Sequence, residues 1–134
     1  MDTKPLLEEV VYLATADPAR TTIEDCRDAP WIAGTPDTLC HTLVFRACQA
    51  SGFTPRIRHH ADDFGTVLAL VAAGQGASLI PQLGVIDVPP GITLTPQTAR
   101  RRSSIAYRKG TAHHPAIAAF TAAVTHSARL AAAT

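Results

Sequence analysis

The twenty residues 62–81, DDFGTVLALVAAGQGASLIP, read as a capped helix, a tight glycine turn and a buried strand. Phe64, Val67, Leu68 and Val71 recur at i, i+3, i+4 and i+7, the spacing that lines one helical face with apolar side chains. That face needs a sheet to lie on. Either Asp62 or Asp63 suits the N-cap, where a carboxylate accepts from free first-turn amides, and Gly74 and Gly76 suit the positive φ of a helix end. Residues 77–80 are short, apolar and unalternating, as expected of a central parallel strand covered on both faces, and Pro81 ends it.

Outward from this unit the pattern repeats. Residues 54–60, TPRIRHH, form a strand in which Ile57 faces opposite to Arg56 and Arg58. Residues 35–51 form a helix with Thr35 at the N-cap, Pro36 at N1 and Asp37 in the first turn, where the dipole favours it. Its buried face is Leu39, Cys40, Leu43, Val44, Ala47 and Cys48, with Gly52 and Phe53 closing the end. Before it, Trp31, Ile32 and Ala33 make a brief strand, Trp31 being a packing residue whose indole N–H is hydrogen-bonded. Thr22 and Asp25 outline a loose capping box, and residues 10–13 read as a buried strand. The order β, α, β, α, β with right-handed crossovers predicts an α/β fold of three layers, a parallel or mixed sheet with helices on both faces. Downstream, residues 82–85 make a helical turn, 92–94 a short strand, 100–102 a solvated arginine connection and 104–107 a second strand. Residues 115–132 are an alanine-rich helix with Ile117, Phe120, Val124 and Leu130 near one side.

Val71, Ala72, Ala73, Gly74, Gly76, Leu79, Ile80 and Pro81 also resemble the VAAGxGxxLLP segment of the effector-binding domain in LysR-type transcriptional regulators. Pro30-Trp31-Ile32 resembles the family's strand after a short acidic helix, and residues 52–57, GFTPRI, its GxxP turn into the next strand. The likeness implies one lobe of a type 2 periplasmic-binding-protein fold, without the N-terminal winged helix-turn-helix and most of the first lobe of a full regulator. On that reading residues 1–19 are a hinge crossover and first-lobe remnant, 20–104 the second lobe, and 105–134 the return crossover and the first lobe's last helix.

Composition narrows the function classes. With 46% hydrophobic and 17% charged residues the chain is globular, and twelve basic residues against eleven acidic leave no bulk field for phosphate. The expectation is that this chain alone does not bind duplex DNA. No apolar run is long enough to span a membrane and no basic leader opens the sequence, so a cytosolic location is expected. Cys26, Cys40 and Cys48 cannot all pair and read as buried free thiols. His59 and His60 are strand neighbours on opposite faces, and His113 and His114 have no ligand beside them, so no metal site is expected. No nucleophile elbow, P-loop or dinucleotide fingerprint is present, and Cys40 with His41 point about 100° apart on a helix, so neither catalysis nor a cofactor is implied.

Two helix starts remain, one at Thr35, Asp37, Thr38 and His41, the other at Asp62, Asp63 and Phe64. Both follow the carboxyl ends of parallel strands, where free amides and helix dipoles favour carboxylates, although both sets equally suit plain capping. The resemblance implies a small-molecule effector touching the first of these, and the helix-start donors suit a carboxylate metabolite. Function would then be effector sensing for transcription control. A standalone dimerisation module and half of a solute receptor are the competing classes. If the resemblance holds, the end segments, 10–13, 105–107 and the last helix, lose the cover of a first lobe, and a homo-oligomer is expected.

Overall fold

The computed structural model describes residues 1–132; residues 133 and 134, the end of the segment 105–134, lie outside the described residues. The backbone divides into two compact units, Val10–Ala99 and the pairing of Met1–Glu9 with Arg100–Thr134.

In the first unit, β2 (Pro30–Ala33) pairs in parallel with β3 (Arg56–His60), and β4 (Ser78–Pro81) pairs antiparallel with β1 (Asp2–Thr15), Leu13 opposite Leu79. A parallel bridge, Trp31 to Ala77, joins the two sheets: Ala77 N–H donates to the Pro30 carbonyl and Ile32 N–H to the Ala77 carbonyl, each at 2.9 Å. The strand read as central and parallel is thus buried throughout but parallel to its neighbour at one residue only. Its other edge belongs to β1, whose fourteen residues greatly exceed the expected 10–13.

Helix α1 (Leu39–Ala50) and helix α2 (Phe64–Ala72) cover different cores. Val11, Leu13, Cys26, Trp31, Val44, Cys48 and Leu79 pack together on the α1 side. Ala14, Ile32, Val67, Leu68, Val71 and Ile80 pack on the α2 side. Neighbours along one strand, Trp31 and Ile32, enter opposite cores, as the pleat requires, and this gives the three layers predicted. Trp31 donates from Nε1 to the Cys26 carbonyl at 3.0 Å. Thr22 and Asp25 exchange the bonds of a capping box: Asp25 N–H donates to Thr22 Oγ1, and Thr22 N–H to the Asp25 carboxylate. The helical turn beside them, Glu24–Cys26, is 3₁₀.

Burial pushes the Cys26 thiol up to about 11 and the Cys48 thiol to about 12, leaving both protonated and unreactive at neutral pH. Cys40 is only half-buried. A thiol reagent is expected to label Cys40 alone in the native protein, with all three labelled in denaturant. Fast native labelling at Cys48 would contradict the packing.

The second unit departs furthest from expectation. β5 (Thr93–Tyr107) is one strand of fifteen residues, absorbing the two short strands and the arginine connection predicted between them. Arginines alternate sides in an extended chain, so Arg101 donates from Nε to the Glu9 carboxylate at 2.7 Å, while Arg102 lies 3.8 Å from Glu8. Glu9 is 1% exposed, and this paired carboxylate is why the arginine run belongs to a strand. β1 lies between β4 and β5 in its sheet, and Val11, Leu13 and Ile105 are buried while Val10, Tyr12 and Tyr107 are half-buried, so these positions keep part of their cover within the chain. Helix α3 (Pro115–Ala132) forms as expected, with Phe120 and Leu130 exposed.

Candidate functional site

The site is built at the carboxyl ends of β2 and β3. Gly34 follows β2 directly and approaches α1 so closely that a Cβ there would lie 2.5 Å from Thr38 Oγ1 and 3.1 Å from the His41 nitrogen. Glycine is what lets the helix start sit against the strand end.

The helix itself begins later than its sequence suggests. Thr38, not Thr35, is the N-cap: its Oγ1 accepts from His41 N–H at 3.2 Å and donates to the Thr35 carbonyl at 2.8 Å. Residues 35–38 form a turn closed by Thr38 N–H donating to the Thr35 carbonyl, with Asp37 at φ 73°. Aspartate tolerates that left-handed conformation better than most residues, which places Asp37 outside the helix rather than in its first turn. The later start also turns Leu39 outward; it is 87% exposed, and the buried face is carried by Val44 and Cys48 with Leu43 and Ala47 beside them.

At the second helix start the two aspartates divide the work. Asp63 caps α2, its carboxylate accepting from Thr66 N–H at 2.9 Å and from Thr66 Oγ1 at 2.8 Å. Asp62 turns the other way and bridges the two helix starts, accepting from Thr35 N–H at 2.8 Å and from Thr35 Oγ1 at 2.9 Å. The Thr35 amide, then its hydroxyl, hold the Asp62 carboxyl below its ordinary 3.8, so it is an anion through the neutral range. A lowered carboxylate stabilises above its unfolded value, so this bond is lost only as pH falls through the lowered one.

Two imidazoles flank the bridge. His41 stacks on Phe45 at 4.5 Å between centroids and lies 6.0 Å from the His60 ring, while His60 Nδ1–H donates to the Gly34 carbonyl at 3.0 Å. Thr35, Thr38, His41 and Asp62, read from the sequence at two separate helix starts, are neighbours linked by these hydrogen bonds. Asp37, Asp63 and Phe64 are not among them: Phe64 packs with the α2-side core and against Gly84, where a Cβ would meet its ring at 2.8 Å. His60 and Gly34 were missed. Their signal was positional, each ending or following a strand on the side where the helices begin.

The donors expected to be free for a ligand are in fact engaged within the chain, and the occupant of the Thr35 amide is itself a carboxylate. Chemically the arrangement is a carboxylate held by the amide and hydroxyl of one threonine. Among the described residues no three His, Cys, Asp or Glu side chains converge as a metal site, and no helix is long and apolar enough to cross a membrane. A separate hollow of about 280 Å³ opens by the first residue of β2, lined by Thr15, Asp17, Arg20, Pro30, Gly74 and Gly76. There Arg20 and Asp17 face each other at 3.6 Å.

Comparisons with known proteins agree with the fold. The regulator TtuA of Agrobacterium vitis, an HTH-type transcriptional regulator, is 28% identical over 94 residues, which are 69% of this chain and 31% of that protein. Among solved structures, a C206 mutant of OxyR from Corynebacterium glutamicum superposes with a TM-score of 0.77 at 22% identity, over 98% of this chain and 46% of that one. The regulatory domain of CcmR from Synechocystis PCC6803 gives 0.77 at 15% identity, over 96% of this chain and 67% of that domain. The chain thus spans about a third to a half of the full regulators it matches. The model of the LysR substrate binding domain matches residues 2–129, nearly the whole sequence, and the chain belongs to that family.

Proposed function

We propose that this chain is the effector-sensing part of a LysR-type transcriptional regulator, residues 20–104 forming the sensing lobe. Its ligand is a small carboxylate taken up at Thr35, Thr38 and His41 in place of Asp62. The observation that carries this reading is the Asp62 carboxylate on the Thr35 amide and hydroxyl, two donors arranged for one carboxylate. An effector carboxylate there would accept the same two bonds, displacing Asp62 towards solvent, where it is exposed. The CcmR regulatory domain, of the same fold, was solved in complex with 2-PG, which supports a small-molecule role for such a lobe.

Binding to this chain is expected to be weak, because a surface site leaves much of a ligand in water. Calorimetry with a panel of small carboxylates, on the wild type and two variants, tests the assignment. Asp62→Ala removes the internal competitor and is expected to tighten binding roughly tenfold, about the worth of one charge-assisted hydrogen bond. Thr35→Val removes the hydroxyl and is expected to weaken binding by a similar factor. If a carboxylate binds and neither variant changes its affinity, the site lies elsewhere.

A further inference from the structure

The hollow beside Pro30 lies roughly 10 Å from the Thr35 site, at the other end of the short strand β2. It is bordered by a turn that carries one charge of each sign. Arg20 N–H donates to the Asp17 carbonyl at 3.1 Å, Thr15 Oγ1 donates to the same carbonyl at 2.8 Å, and Ala19 N–H donates to Asp17 Oδ1 at 2.9 Å. These bonds fix where the two side chains leave the backbone, and they leave the second carboxylate oxygen, Oδ2, to Arg20. The lining is otherwise small and apolar, with Ala29 and Ala77 both buried. Helix α2 ends at the hollow too: Gly74 follows its C-cap Ala73, and a Cβ on Gly74 would meet nothing within 4 Å.

The ion pair itself is loose. Arg20 Nε stands 3.6 Å from Asp17 Oδ2, well beyond the ~2.8 Å of a charge-assisted hydrogen bond. Among the described residues Arg20 has no second carboxylate partner, and the next acid, Asp25, is held by the Thr21 and Thr22 amides, each at 3.0 Å. A guanidinium carries five donors in a planar fork, so one long contact leaves most of them for an incoming carboxylate. A lone carboxylate entering here would also meet Asp17, and a lone amine would meet Arg20. A molecule with both charges one carbon apart satisfies both, and the negative end of the α2 dipole favours its cationic group. We propose that this hollow binds a small α-amino acid with a short apolar side chain. Its carboxylate lies on the Arg20 guanidinium, its ammonium on Asp17 Oδ2, and its side chain against Ala29 and Ala77. The hollow is open to water, so the dissociation constant falls near about 1 mM.

Nuclear magnetic resonance of isotope-labelled protein reads the site directly. Titration with L-alanine or L-valine up to ~50 mM is expected to shift the amide signals of Arg20, Gly74 and Gly76 along a saturating curve. Acetate and methylammonium, each carrying one of the two charges, are expected to move the same signals far less. Arg20→Gln and Asp17→Asn are each expected to weaken the amino acid at least roughly tenfold while leaving the circular dichroism spectrum unchanged. Signals that stay still at the highest concentration, an equal response to acetate or methylammonium alone, or an affinity unchanged in both variants would each overturn the proposal. Shifts confined to Gly34 and Thr35 would overturn it as well, by assigning the amino acid to the other site.

Discussion

Replacing Trp31 with alanine is expected to cost about 3–5 kcal/mol of unfolding free energy, a large share of what a domain of this size holds. The side chain is fully buried among Val11, Leu13, Cys26, Val44, Cys48 and Leu79, with the Phe53 ring 6.3 Å away. Truncation leaves a cavity that strands β1, β2 and β4 and helix α1 all border, and a strand-anchored wall collapses poorly. It also orphans the Cys26 carbonyl, which takes the indole N–H. Urea denaturation followed by far-ultraviolet circular dichroism measures the change. Trp31→Phe keeps most of the volume and should lose less than half as much, and a loss under about 1 kcal/mol for the alanine variant would mean the core is not organised around this ring.

Gly76→Ala ranks second, at about 3 kcal/mol, and its cause is backbone rather than cavity. A Cβ on Gly76 would stand 2.6 Å from the Pro30 carbonyl oxygen and 3.0 Å from its carbon. No flexible side chain can yield there. The same carbonyl accepts the Ala77 amide, so relief means breaking the parallel bridge between the two sheets. Gly74, two residues earlier, supplies the control: a Cβ there meets nothing within 4 Å, and only its φ of 75° resists alanine, at about 1 kcal/mol. Thermal melts of the two variants should therefore separate clearly, Gly76→Ala melting lower. Equal melting temperatures would refute the close approach.

The contrast between these glycines marks what sequence could and could not show. Helix α2 and strand β4 were legible because periodicity, caps and a Gly-rich turn all agreed over twenty consecutive residues. The start of α1 misled because Thr35-Pro36-Asp37 satisfies every N-terminal preference, and so does Thr38 three residues on. Tertiary contact decided, since Asp62 claims Thr35 from 27 residues away. β5 was illegible for a related reason: three arginines in a row carry no β-branched or aromatic signal, and the partner that makes one of them half-buried, Glu9, is 92 residues distant. At the site, Thr35, Thr38, His41 and Asp62 were found through helix-end chemistry, whereas His60 and Gly34 act through proximity that no local pattern carries.

An internal carboxylate on the Thr35 donors also has an arithmetic consequence. Asp62 is delivered by the same backbone that builds the site, so its effective concentration there is set by a short tether and reaches at least about the millimolar range. A free carboxylate competing for Thr35 must match that value before it gains half the sites. Scarce metabolite would leave the pair closed, and abundant metabolite would open it, so the proposed sensor carries its own set point. Because one side chain fixes that point, a single substitution at position 62 would retune the response by up to roughly tenfold in metabolite level without touching the residues that recognise it.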